Sequence, residues 1–189
     1  PVTGLLANPT YRLRVFLNNN YGAYVSTLNG SYSFTAFAVG SYTENVSTYS
    51  CCASSWRLSA DIPVTVLAGQ TTTADIDLTA TAGAVQGQIT VNGQPFQARL
   101  NSPGGYYATD GNGNFAWLLP PGNYTADVSN PNNGNLIGTF SFSVAAGQTT
   151  NVGTLNYDNG NITGTVSWNG APVTGLLANP TYRLRVFLN

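Results

Sequence analysis

The 189 residues contain no histidine, no lysine and no methionine, and only 7% of them are charged. An ordinary soluble domain carries about 25%. General acid–base chemistry near neutral pH usually falls to histidine, lysine or paired carboxylates, and the first two are missing. The acids are Glu44, Asp61, Asp75, Asp77, Asp110, Asp127 and Asp158, with no nucleophile motif or phosphate loop beside them. An enzyme is therefore not expected, nor a cofactor. Every base is an arginine (Arg12, Arg14, Arg57, Arg99, Arg183, Arg185) and the net charge is −1. Without a basic run, nucleic acid and anionic membrane surfaces are poor partners. No apolar stretch approaches the roughly 20 residues of a spanning helix. Hydrophobic residues still make up 42%, so scarce charge does not mean disorder.

Cysteine is equally scarce. Cys51 and Cys52 are adjacent in YSCCASSW and have no third partner, which excludes an ordinary intradomain disulfide. Outside the cell such thiols are oxidised, either to a vicinal ring or to cross-links with a neighbouring subunit. Two thiolates without histidine make a thin metal-ligand set. Uncharged, Thr/Asn-rich β sequence suits the cell exterior, and an extracellular or cell-surface location is expected.

What the chain does have is repetition. PVTGLLANPTYRLRVFLN stands at 1–18 and again at 172–189, a shift of 171 residues. Identity at a fixed period marks a tandem repeat, so the 189 residues read as a window on a longer periodic object. Within the period the pattern is strand-like. TYRLRVFL alternates Tyr11, Leu13, Val15 and Leu17 against Thr10, Arg12, Arg14 and Phe16, and TADIDLTA alternates Ala74, Ile76 and Leu78 against Asp75, Asp77 and Thr79. Period-two alternation broken by Gly, Asn and Pro reads as half-buried strands. Asp75 and Asp77 share one strand face, as do Arg12 and Arg14, and both pairs are expected to be exposed. No stretch has helical spacing.

The two halves of the period also match each other. ITGTVSWNGAP (162–172) echoes VQGQITVNGQP (85–95), and LNGSYSF (28–34) echoes GNGNFAW (111–117). VGSYTENVS (39–47) echoes PGNYTADVS (121–129), and LAGQTT (67–72) echoes AAGQTT (145–150). Read as circular, both halves keep one order, so the unit holds two related β domains. Domain A covers 1–80 and domain B covers 81–157, while 158–189 holds the first strands of the next domain A. Domain A lacks its own first strand. That strand's equivalent, Asn161–Asn169, stands at the far end, with Ile162, Gly164, Val166 and Trp168 on one face.

The order G-x-(I/V)-x-x-N-G-x-P, N-G-x-(F/Y)-x-(F/W), L-P-P-G-x-Y-x-x-x-V and A-G-Q-T-T resembles the carboxypeptidase regulatory-like repeat. This is a transthyretin-like β-sandwich close to the CnaB modules of microbial surface proteins. The resemblance covers domain B completely and domain A with insertions. It implies an all-β chain of two Ig-like, transthyretin-like Greek-key sandwiches in tandem, strung in series along surface stalks and fibres. CnaB-like modules often carry a Lys–Asn isopeptide bond; a chain without lysine cannot form one. Short strands with a turn signal every 8–12 residues agree with a sandwich.

Smaller motifs are read as follows. Asn29, Asn45, Asn123 and Asn161 each head an Asn-X-Ser/Thr triplet, making them candidate sites for covalent glycans. Asn29, at an expected hairpin tip, is the best placed. TDGNGNF (109–115) has Asp110, Asn112 and Asn114 in calcium-loop spacing, but Pro121 stands where an EF-hand needs its glutamate, so the stretch reads as a turn. Trp117 fits a core position; Tyr106 and Tyr107, beside a Gly-Gly pair, are the aromatics more open to a binding role, with core or interdomain packing the favoured expectation for them as well.

Together these features predict a structural repeat unit of an extracellular filament, stalk or sheath. Copies would join head to tail, with strand 161–169 completing the next domain A. A contact that does not close into a ring propagates as a fibre. The alternative is an adhesin-type repeat binding a glycan or a host protein.

Overall fold

A computed structural model describes residues 12–19, 21–25, 30–35, 37–49, 56–102, 105–160 and 162–173. All regular structure among them is β: β1 (Arg12–Leu17), β2 (Tyr21–Tyr24), β3 (Gly40–Tyr49), β4 (Ile62–Val66), β5 (Gly83–Val91), β6 (Gln94–Pro95), β7 (Arg99–Ser102), β8 (Gly105–Ala108), β9 (Asn114–Leu119), β10 (Gly122–Ser129), β11 (Leu136–Val144), β12 (Thr149–Tyr157), β13 (Ser167–Trp168) and β14 (Ala171–Pro172). The chain divides into two compact units, Pro1–Asn159 and Gly160–Asn189. In the second unit, β13 and β14 form a small hairpin.

The first unit contains the same sheet twice. β1 to β4 form an antiparallel sheet in the order β2-β1-β3-β4, and a second antiparallel sheet runs β8-β7-β10-β11. Strand for strand the two orders coincide. Sequence periodicity explains the first of them: Leu13, Val15 and Leu17 are buried on one face of β1, as period-two alternation requires. Asn18 and Asn19 turn the chain towards β2 with φ of 49° and 59°, a left-handed backbone that asparagine tolerates.

The correspondence extends to single hydrogen bonds. Tyr42 donates its hydroxyl to the Ala38 carbonyl at 2.9 Å, and Tyr124 donates to Pro120 at 2.8 Å. Likewise Thr72 Oγ1 donates to the Thr65 carbonyl at 2.7 Å, and Thr150 Oγ1 to Ser143 at 2.6 Å. Gly69 and Gly147 share a φ of 67° in the turns just before those threonines. Equivalent side chains thus fix equivalent corners in both halves.

A third sheet covers the β8-β7-β10-β11 sheet. Its central strand is β5, which pairs in parallel with β12 and antiparallel with β9 and β6. The two layers meet through aromatic rings. Tyr107 of β8 stacks on Trp117 of β9 with centroids 4.9 Å apart, and Phe115 of β9 meets Phe140 of β11 at 5.6 Å. Large rings dominate such cores because each buries extensive apolar area. One core cluster runs from Leu13, Val15, Val46 and Leu58 into the Val85, Ile89, Trp117 and Val128 region, so both halves of the first unit share it.

Candidate assembly site

In the second half of the first unit, β5 lies between β9 and β12. Its inward residues Val85 and Ile89 are fully buried. Gly87 stands between them, and a Cβ there would lie 2.6 Å from Val152 Cγ2, 2.8 Å from Phe115 Cζ and 2.9 Å from the Gly153 carbonyl oxygen. Side chains from both neighbouring strands close over this glycine, and only a hydrogen fits beneath them.

The first half has the two outer members of that layer without the middle one. Residues 31–35 correspond to 114–118, and 71–74 correspond to 149–152. Both segments alternate as strands should. Tyr32 and Phe34 are half-buried between exposed Ser31, Ser33 and Thr35, and Ala74, Ile76 and Leu78 are half-buried between exposed Asp75 and Asp77. Tyr32, Phe34, Ile76 and Leu78 pack on the core. Neither segment belongs to a ladder. The strand expected over TADIDLTA is therefore present in burial pattern but absent in pairing, because among the described residues none takes the position of β5 beside it. What remains is a slot.

Tyr32 spans the slot. Its hydroxyl lies 2.6 Å from the Ala74 carbonyl oxygen on the far segment and 2.8 Å from Glu44 Oε2 on β3. The phenol has one proton for two acceptors, so it can donate to only one at a time. Burial first, then the hydrogen bond and negative charge of Glu44 and the charge of Asp75, push the Tyr32 phenol upward. It stays protonated at neutral pH and able to donate. Glu44 itself is buried. At the matching positions the second half has apolar Phe115 and Ala126, so the polar pair belongs to the slot alone.

The candidate donor strand belongs to the second unit. Ile162 is 81% exposed, Val166 52% and Trp168 75%, whereas the matching Val85 and Ile89 are 0% exposed. Nothing lies within 4 Å of a Cβ added at Gly164 or Gly160. The hairpin turn is the same in both copies: Asn92 and Gly93 have φ of 52° and 75°, Asn169 and Gly170 have 52° and 76°. Paired positive φ values at Asn-Gly fit a type I′ hairpin turn.

Other singled-out residues are placed differently. Cys51, Cys52, Asn29 and Asn161 lie outside the described residues. Asn45 is buried, with its amide donating to Asn19 Oδ1 at 2.8 Å, a placement that argues against a glycan there. Asn123 is exposed and accepts a 2.6 Å bond from Ser143 Oγ. Asp110 closes a turn: Oδ1 accepts from the backbone amides of Asn112 and Asn114 at 2.9 and 2.8 Å. Among the described residues no three His, Cys, Asp or Glu side chains gather as a metal site.

Tyr107 is a core residue at 1% exposure, as core packing expects, and so has no open binding role. Burial pushes its phenol up to about 12, with the Thr48 hydroxyl bond opposing. Tyr106 is half-buried under the Arg99 guanidinium, 3.8 Å from its ring centroid. Trp117 is fully buried, as its position in NFAW predicts. Asp75 and Asp77 are exposed as expected, and two hydrogen bonds from Thr79 hold the Asp77 carboxyl below the usual range.

The sequence reading missed Tyr32 and Glu44. Their signal was present in the internal alignment, where two core positions are apolar in one half and polar in the other.

No protein-family profile matches the chain, and no curated protein matches it. Solved structures show distant similarity. The chain is 10% identical to the minor pilin of Streptococcus agalactiae, covering 84% of this chain and 87% of that one with a TM-score of 0.37. It is 10% identical to the TIE protein of Bacillus anthracis, over 81% of this chain and 35% of that one, TM-score 0.35. A leucine-rich repeat protein from Bacteroides thetaiotaomicron matches at 12% identity over 82% of this chain and 25% of that one, TM-score 0.26.

Proposed function

We propose that this chain is a repeat unit of an extracellular filament, stalk or sheath whose copies join head to tail. Strand 161–169 of one copy fills the slot in domain A (1–80) of the next, beside domain B (81–157), whose own layer already contains β5. One observation carries the reading. Among the described residues, the slot between 31–35 and 71–78 lacks the strand that β5 supplies in the other half, while a segment of matching sequence stands exposed at 162–168. Filling the slot satisfies two open edges with backbone hydrogen bonds. It also buries Ile162 and Val166, the counterparts of fully buried Val85 and Ile89, at about 1.5–3 kcal/mol for each fully buried apolar side chain before ordering costs. The contact is heterologous and repeats along one direction, so it propagates rather than closes. The function is mechanical, in keeping with a chain that lacks both histidine and lysine.

The identity of residues 1–18 and 172–189 favours many units in one polypeptide, since each strand 161–169 then leads directly into the domain A that it completes. Denaturing electrophoresis of boiled, reduced filaments distinguishes this from separate subunits. A tandem array gives bands far above 19.8 kDa; a single band at that mass contradicts it.

A further inference from the structure

The slot and the strand have features that strand donation alone does not require. The two segments flanking the slot are already tied together by the Tyr32 hydroxyl on the Ala74 carbonyl, 2.6 Å apart. An incoming strand with a side chain at that level would collide with the bridge. In the other half, the ring of Phe115 and the side chain of Val152 close in the same way over Gly87. These two residues are the counterparts of Tyr32 and Ala74. The donor segment repeats not only Gly87, as Gly164, but also Gly83, as Gly160. A Cβ at Gly83 would run into the Ala145 carbonyl oxygen, and the counterpart of Ala145 is Leu67.

We infer that strand 162–168 of a neighbouring copy enters the slot in a single register, with Gly164 opposite Tyr32, so that the Tyr32–Ala74 bridge passes over a residue that has no side chain. The inference rests on the strand-donation reading above and adds to it the determinant of register. β5 supplies the pairing directly. Val85 lies opposite Trp117, Gln86 opposite Ala116, Gly87 opposite Phe115 and Gln88 opposite Asn114. Translated, Ile162 faces Phe34, Thr163 faces Ser33 and Thr165 faces Ser31. On the parallel side Val85 pairs with Thr150 and Gln86 with Asn151, which places Ile162 beside Thr72 and Thr163 beside Thr73. A slip of one residue would turn Thr163 or Thr165, according to its direction, inward under the phenol and leave Ile162 and Val166 in water. Glycine at 164 therefore acts as a key: the slot rejects every register in which a side chain lies beneath Tyr32.

The free chain makes the test clean. Since nothing lies within 4 Å of a Cβ at Gly164, Gly164→Val leaves the melting temperature of the unassembled chain unchanged. In sedimentation assays of the 189-residue chain, whose copies have no covalent link and can join only by strand donation, Gly164→Val is expected to raise the concentration needed for assembly by at least about tenfold, since a side chain forced into a filled site has no low-energy place. Thr165→Val, one residue away and facing outward, is expected to assemble like the parent. Adding Tyr32→Ala to Gly164→Val opens the space above residue 164 and is expected to restore assembly in part. Ile162→Asp separates the two claims. If Ile162→Asp blocks assembly but Gly164→Val does not, the register is wrong and donation stands. Equal loss from Gly164→Val and Thr165→Val, or no recovery with Tyr32→Ala, also overturns the register. If Ile162→Asp assembles like the parent, donation itself fails.

Discussion

An aspartate in place of Ile162 is expected to abolish assembly without harming the fold of the free chain. Ile162 is 81% exposed there, so the substitution trades one solvated side chain for another and should change stability by no more than about 0.5 kcal/mol. In the slot the same position corresponds to Val85, which is 0% exposed. An aspartate there would be buried opposite Phe34, with no arginine on either flanking segment to pair it. Burying an unpaired carboxylate costs several kcal/mol even when part of the cost is met by protonation. Each 1.4 kcal/mol is about tenfold in affinity, so a hundredfold or larger rise in critical concentration follows. Sedimentation and thermal melting on one preparation check both halves of the statement. Assembly at the parent concentration would remove Ile162 from the interface.

The second large effect is on stability. Trp117→Ala is expected to cost about 3–5 kcal/mol, as large-to-small changes at filled aromatic sites do. Trp117 is 0% exposed, stacks on Tyr107, and meets Phe115 and Phe142 with centroids 5.0 and 5.9 Å away. Its counterpart Phe34 is only half-buried beside the slot. Phe34→Ala should therefore cost distinctly less in the free chain, and the difference should shrink once a donor strand covers Phe34. Thermal or denaturant unfolding of both variants, free and assembled, reads the contrast. Equal losses from the two substitutions in the free chain would mean that the layer around Phe34 is already complete.

The contrast also shows how far the sequence could be read. Alternation in RLRVFL and the echoes between the halves were enough to anticipate all-β architecture, since burial on one face is what a period of two encodes. The same echoes point to 162–168 as the segment that matches β5, because a repeat states what should be present. Pairing was less legible. TADIDLTA has the pattern of a strand, yet a ladder needs a neighbour, and a linear sequence does not state which segments lie side by side. The partner of Tyr107 was hidden for a related reason: adjacency to Gly-Gly left a binding role open beside core packing, and only the way β8 turns that ring onto Trp117 from the opposite layer decides between them. Glu44 shows the converse. A carboxylate in the polar stretch SYTENVS looks like surface, and only the packing of Tyr32 across the layer gives it a buried partner.

Amide hydrogen exchange on assembled and dissociated material tests strand donation most directly. Donation predicts that residues 31–35, 71–78 and 162–168 exchange rapidly in the dissociated chain, where no ladder holds them, and become protected together on assembly. Filaments that form while all three segments keep the exchange rates of the dissociated chain would contradict it.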